Sequence, residues 1–203
     1  MNQNGIVMPG YRVYEYLVVL NPHRELSEKI AEIRKDFYKE YKLPGVPGSR
    51  SNLALVKFTQ LEMSEARIVQ KLHTIAMGYP PFKVEIKDFA SFPSHTVYLN
   101  VTSKVPIQDL VKLIRTEANR LMKYDPDKTP HFMLEPHFTI GMKLKPWQYE
   151  KSWLAYSHKH FTARFIADEM ILLKRLVGER NWLVANRFKF ENLPVTTKQG
   201  ELF

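Results

Sequence analysis

What most constrains this 203-residue chain is an order of extended and helical apolar patterns that runs through its first half and begins again at Val105. Val13–Leu20 (VYEYLVVL) is β-branched and aromatic, and reads as a buried strand. Asn21-Pro22 then offers an N-cap with proline at the first helical position. Leu26, Ile30, Ile33, Phe37 and Tyr41 follow at steps of three and four, one apolar face of a helix. The Pro/Gly loop Leu43–Ser51 delivers the chain to a second strand, Asn52–Phe58. Thr59 and Glu62 have capping-box spacing for a helix marked by Leu61, Ile68, Leu72 and Ile75 and stopped by Gly78 and Pro80-Pro81. Phe82, Val84 and Ile86 alternate with charged residues as a half-exposed strand, with Thr96–Val101 as its hairpin or sheet partner.

From Val105 the succession repeats. Ile107, Leu110, Val111, Ile114, Ala118, Leu121 and Met122 form the clearest helical stripe. A polar loop, Tyr124–Pro136, leads into the strand His137–Leu144, and Pro146 opens a helix carrying Trp147, Trp153 and Leu154. Two last strands are expected around Phe161–Arg175 and Trp182–Phe190. The order is β-α-β-α-β-β-α-β-α-β-β. The halves read as interleaved lobes of a single domain, residues 1–203, with no linker.

The pentapeptide Pro136-His137-Phe138-Thr139-Ile140 carries the chemistry. Residues two apart on a strand share a face, so His137 and Thr139 would stand together while Phe138 and Ile140 enter the core. Imidazole moves a proton near neutral pH, and a hydroxyl donates to a phosphate oxygen. An HxT on a strand also arises by chance; His160-Phe161-Thr162 is a second instance, and Pro130-His131-Phe132 repeats the start of the motif without its threonine.

The element order, the proline before His137 and the segment Phe92–Val101 (FPSHTVYLNV) together resemble the two-histidine phosphoesterases. That family includes RNA 2′,3′-cyclic phosphodiesterases and the 2′-5′ RNA ligase-like proteins, and the likeness spans the chain from the Val13 strand to the Phe190 strand. It implies an α+β fold of two pseudo-symmetric βαβ-type lobes, with mainly antiparallel sheets around a central groove and helices on the outer faces. It also implies two HxT motifs facing each other, one histidine a general base and the other a general acid, with the threonines holding phosphate.

His137 and Thr139 match the second motif as its catalytic pair. The first motif falls at Ser51–Leu55, where Asn52 stands for the histidine and Ala54 for the threonine, 85 residues before the second. An amide bonds to phosphate but transfers no proton at neutral pH, and Ala54 does neither. Losing one of two proton-transfer groups costs on the order of 10²–10⁴-fold. A basic residue often follows the second motif's strand; here Met142 is apolar and Lys143 is the nearest candidate.

Other substrate-binding candidates each have a plainer alternative. Lys57 and Lys143 either reach the groove or sit exposed on strand edges. Tyr98 either stacks on a base or is a core residue with a hydrogen-bonded tip. His95 either lines the groove or serves a turn. His158-x-His160 has no third ligand in view, so no metal is expected, and no organic cofactor is implied either.

Lys and Arg outnumber Asp and Glu by 30 to 21, a formal charge of +9 spread along the chain, which suits an anionic partner such as RNA or a nucleotide. The absence of cysteine excludes disulfides and thiol catalysis. Met1–Arg12 does not read as a secretory signal, and no stretch approaches the ~18 apolar residues of a membrane span. A cytoplasmic protein is the expectation, and no protein partner is inferable. Two functions follow: a metal-independent hydrolase of 2′,3′-cyclic or 2′-5′ phosphodiesters of RNA ends or small nucleotides, its activity weakened or lost, or a non-catalytic RNA- or nucleotide-binding protein that uses the same groove.

Overall fold

The computed structural model describes residues 10–45 and 51–194. The N-terminal segment before Gly10 and most of the Pro/Gly loop after Leu43 lie outside the described residues. Among the described residues there are nine strands and four α-helices: β1 Val13–Leu20, α1 Arg24–Glu40, β2 Leu53–Leu61, α2 Glu65–Met77, β3 Phe82–Phe92, β4 Thr96–Val101, α3 Lys104–Met122, β5 His131–Phe132, β6 His137–Met142, α4 Pro146–Tyr156, β7 Thr162–Ala167, β8 Glu169–Leu176 and β9 Leu183–Lys189. They make two antiparallel sheets, one ordered β5-β2-β1-β8-β9 and the other β6-β4-β3-β7.

The two halves interlock. β1-α1-β2 and β4-α3-β6 are corresponding strand–helix–strand units, yet α1 packs on β6 of the second sheet and α3 packs on β2 of the first. Each lobe therefore lends its helix to the other. α2 lies beside α3 and β9, and α4 lies on β4, so helices cover one face of each sheet. The α3 stripe expected from sequence is buried: Ile107, Leu110, Val111, Ile114, Ala118 and Met122. At the centre of the α1 contact, the Phe37 ring lies 4.7 Å from Tyr41 and 5.1 Å from Tyr156 of α4. Such aromatic pairs each add about 0.5–1.5 kcal/mol beyond their buried area. Polar ties reinforce the packing. Gln60 Nε2 donates to the Leu121 and Lys123 carbonyls, pinning β2 to the end of α3, and Tyr16 donates to Glu65 of α2.

Four local expectations are overturned. α1 begins at Arg24 with His23 as its N-cap, not at Pro22, because the chain stays extended through His23 (ψ 158°). Thr59 caps nothing: it lies inside β2, opposite Glu15 of β1, and the strand runs on to Leu61. Cross-strand pairing outweighs the local cap there, and a turn of 3₁₀ helix at Glu62–Ser64 leads into α2. The loop Tyr124–Pro136 contains β5, which adds to the edge of β2 through Val56↔Phe132 and Lys57↔His131. Phe161–Arg175 is two strands, since the chain leaves the second sheet at Asp168 and enters the first.

Candidate phosphodiester-binding site

The sheets approach each other at β2 and β6, the latter an edge strand of its sheet. A cavity of about 450 Å³ opens between them. Asn52 and Ala54 line it from the β2 side, His137, Thr139 and Met142 from β6, Arg34 and Tyr38 from α1, and Met133 and Glu135 from the loop after β5. The two motif positions, 85 residues apart in sequence, thus meet across one space. On β6, His137 and Thr139 are half-buried towards the cavity and Phe138 is fully buried behind them, while Ile140, expected in the core, is buried but also forms part of the cavity wall, at the point where the β4–β6 register shifts.

His137 is held in one orientation. Its ring lies edge-on to Phe92 at 5.1 Å and against Tyr98 at 4.9 Å. Its Nδ1 is 2.7 Å from the Glu135 carbonyl oxygen, which can only accept, so Nδ1 carries the proton and Nε2 keeps its lone pair. Burial lowers the imidazole pKa below its ordinary 6.5, against a smaller upward pull from the Glu135 carbonyl and carboxylate. The ring is therefore neutral at pH 7, the form that accepts a proton. The loop that supplies Glu135 is fixed from both sides. Met133 donates its N–H to the Leu55 carbonyl, Gln108 donates to the Leu134 carbonyl, and Lys104 pairs with the Glu135 carboxylate at 2.7 Å.

The other sequence candidates divide. Tyr98 does not line the cavity; it stands behind His137 as a wall of the imidazole. Lys57 shares a sheet face with Ala54, because a bulge shifts the β1–β2 register from Val19↔Ala54 to Leu17↔Lys57, but it is exposed and pairs with Glu15 at 3.2 Å. Lys143 lies just past β6 in a left-handed conformation (φ 55°), exposed and outside the cavity lining. His95 sits in the β3–β4 turn, its Nδ1 2.9 Å from Thr96 Oγ1, and is also outside the lining. His160 contacts Asp88, and among the described residues no three His, Asp or Glu side chains gather to hold a metal ion.

Arg34 is the residue that sequence reasoning missed. It stands four residues after Ile30 and three before Phe37, a charge interrupting the apolar stripe of α1, and that interruption was the available signal. Its Nε donates to the Thr139 carbonyl at 3.0 Å across the open edge of β6. Burial lowers its pKa below the ordinary arginine value, with Tyr38 pulling the other way, and a guanidinium stays charged at neutral pH. Among the described residues it is the only Lys or Arg in the lining. Gly141 permits the approach of α1, since a Cβ there would run into the Phe37 ring.

Two antiparallel lobes with a histidine–threonine pair facing a groove define a two-histidine phosphoesterase fold. The chain belongs to the 2′-5′ RNA ligase superfamily, whose family model matches residues 22–179. Among solved structures, the apo form of Escherichia coli LigT is similar with a TM-score of 0.60 at 14% identity, covering 88% of this chain and 98% of LigT. LigT in complex with 3′-AMP gives a TM-score of 0.58 at 13% identity, with coverage of 88% and 98%. The protein TT0787 of Thermus thermophilus gives 0.58 at 13% identity, with 87% and 98% covered. These likenesses establish the fold. No curated protein sequence matches the chain. None of the helices described is long and apolar enough to cross a membrane.

Proposed function

We propose that this cavity binds a single phosphodiester of an RNA end or small nucleotide, with His137 as its one proton-transfer group. The observation that carries the reading is the fixed tautomer of His137, which directs a neutral Nε2 away from the Glu135 carbonyl while Asn52 shares the same cavity. Thr139 would donate its hydroxyl to a phosphate oxygen, Asn52 its amide, and Arg34 would offset the phosphate charge. LigT has been solved with 3′-AMP, with ATP and with phosphate, which supports a nucleotide phosphate as the ligand class.

With a 2′,3′-cyclic phosphate, Nε2 would take a proton from water as the water oxygen bonds to phosphorus and one ribose oxygen departs. Asn52 has no proton to give that oxygen, so protonation falls to solvent and turnover is slow. Asn52 and Ala54 also favour a second reading, a groove that holds the ligand without turnover. The experiment is incubation of adenosine 2′,3′-cyclic phosphate with the protein in excess chelator. Release of adenosine monophosphate that disappears with His137→Ala supports the hydrolase. A saturable isotherm without product supports the binding protein, and absence of both binding and turnover overturns the proposal.

A further inference from the structure

α4 is seated on the protein in part by its polar residues. Gln148 is buried, its Oε1 accepting the Lys145 N–H at 2.9 Å and its Nε2 donating to the Tyr41 carbonyl at 2.8 Å. Ser152 is fully buried and donates to the Tyr149 carbonyl at 3.1 Å. Of the three large apolar residues that mark this helix in sequence, only Trp153 packs against the core; Trp147 is 53% exposed and Leu154 71%. Seven residues, about two turns, separate them, so they stand on nearly one line, about 10 Å apart along the axis, on the side away from Gln148 and Ser152. The crest of the helix is thus apolar where a surface helix ordinarily carries its polar residues. Neither side chain lines the phosphate cavity or the cavity beside the last turns of α1.

The rim of this crest is basic. Lys143 and Lys145 lead into the helix, Lys151 lies between Trp147 and Leu154, and Lys42 follows Tyr41, whose carbonyl holds Gln148; all four are exposed. Among the described residues the lysine ion pairs lie elsewhere, so these charges are unmatched, with Glu150 and Glu40 as the nearby carboxylates in sequence. A protruding tryptophan and leucine ringed by lysines suit a lipid surface. Tryptophan settles at headgroup depth, and lysine stems cover apolar surface while their ammonium groups stay in the polar layer. A base could stack on Trp147, but Leu154, the more exposed of the two, offers nothing to a nucleic acid. A second copy would set its own lysines against these.

We infer that the outer face of α4 docks the protein on an anionic lipid surface, with Trp147 and Leu154 entering the headgroup layer and the four lysines facing lipid phosphates. At 11 residues the helix is too short to span a bilayer and lies along it. The inference stands apart from the phosphodiester reading, since no nucleotide takes part. Its test is flotation of the full protein with vesicles of phosphatidylcholine alone or with about one third phosphatidylglycerol. Native protein should float with the anionic vesicles and not the neutral ones, and less as salt rises from roughly 50 to 200 mM. Trp147→Ala with Leu154→Ser should weaken binding at least about tenfold. Lys145→Gln and Lys151→Gln should each weaken it about fivefold. Tryptophan emission should shift to shorter wavelength on binding, and Trp147→Phe should lose most of that shift although Trp153 and Trp182 remain. Thermal melts check folding, and Leu154→Ser and the lysine variants carry the test if Trp147→Ala does not fold. Native protein that ignores anionic vesicles overturns the inference, as does binding that survives the double variant or an emission shift that survives Trp147→Phe. If the double variant loses affinity for single-stranded oligouridylate and not for vesicles, the face serves nucleic acid and the lipid proposal falls.

Discussion

Gly141→Ala tests how α1 is held against the groove. Gly141 lies on β6 two residues past Thr139, and a methyl group there would overlap the Phe37 ring, with Cζ at 2.8 Å and Cδ1 at 2.9 Å and Cε1 closer still. The ring has nowhere to go: Phe37 is fully buried between Tyr41 and Tyr156. Forcing extra volume into such a core costs about 1–3 kcal/mol. In a chain of this size each kcal/mol lowers the melting temperature by roughly 2–4 °C, so a drop of about 2–12 °C is expected. Because Arg34 precedes Phe37 by one helical turn, displacing the ring also draws the guanidinium from the Thr139 carbonyl, and phosphate affinity should fall with stability. Phe37→Leu supplies the control. Each single change destabilises, but the double variant should be more stable than their sum by about 1 kcal/mol or more, since the smaller side chain leaves room for the methyl. Thermal melts of the four proteins measure this coupling. Additivity within about 0.5 kcal/mol, or a neutral Gly141→Ala, would refute the claim that this contact seats α1.

Three further outcomes are expected. If His137 alone transfers protons, kcat/KM for a cyclic nucleotide should rise with pH through one midpoint below 6.5 and then level off, without the descending limb of an acid–base pair; a bell-shaped profile would show a second group at work. The same lowered pKa makes the fold less stable as pH falls through about 6.5, where the unfolded chain binds a proton that folded His137 resists, so native protein should lose more melting temperature between pH 7.5 and 5.5 than His137→Gln does. Affinity for a mononucleotide should fall as salt rises from roughly 50 to 200 mM, because the shortening Debye length screens the attraction between Arg34 and the phosphate, and Arg34→Ala should flatten that dependence; a titration in which salt has no effect would remove Arg34 from the phosphate.

Much of this architecture was legible in sequence where one physical signal dominated. β1, β4 and α3 announce themselves by β-branched runs and by a long apolar stripe, and His137 and Thr139 fall on one face because strand periodicity leaves no alternative. The failures have a common cause in tertiary pairing. Thr59 has a perfect local context for a cap, but the β1 ladder claims it, and β5 has too little apolar pattern to be seen without the edge of β2 beside it. Within the site, spacing from the motif drew attention to Lys143, which the turn after β6 sends outward. The positive charge in the cavity comes from α1 instead, across the interface between lobes, and only the interrupted stripe at Arg34 hinted at it.

The central claim is that the groove is a two-histidine site with one half of its proton-transfer machinery replaced. Its most direct measurement is the rate of adenosine 2′,3′-cyclic phosphate hydrolysis by the variant carrying both Asn52→His and Ala54→Thr. Those side chains enter the same cavity as His137 and Thr139, so a proton donor is restored opposite the existing base. The expected rate exceeds native by up to the roughly 10²–10⁴-fold that one such group supplies, with the gain abolished by His137→Ala. A native protein already as fast as the double variant, or a gain that survives loss of His137, would contradict it.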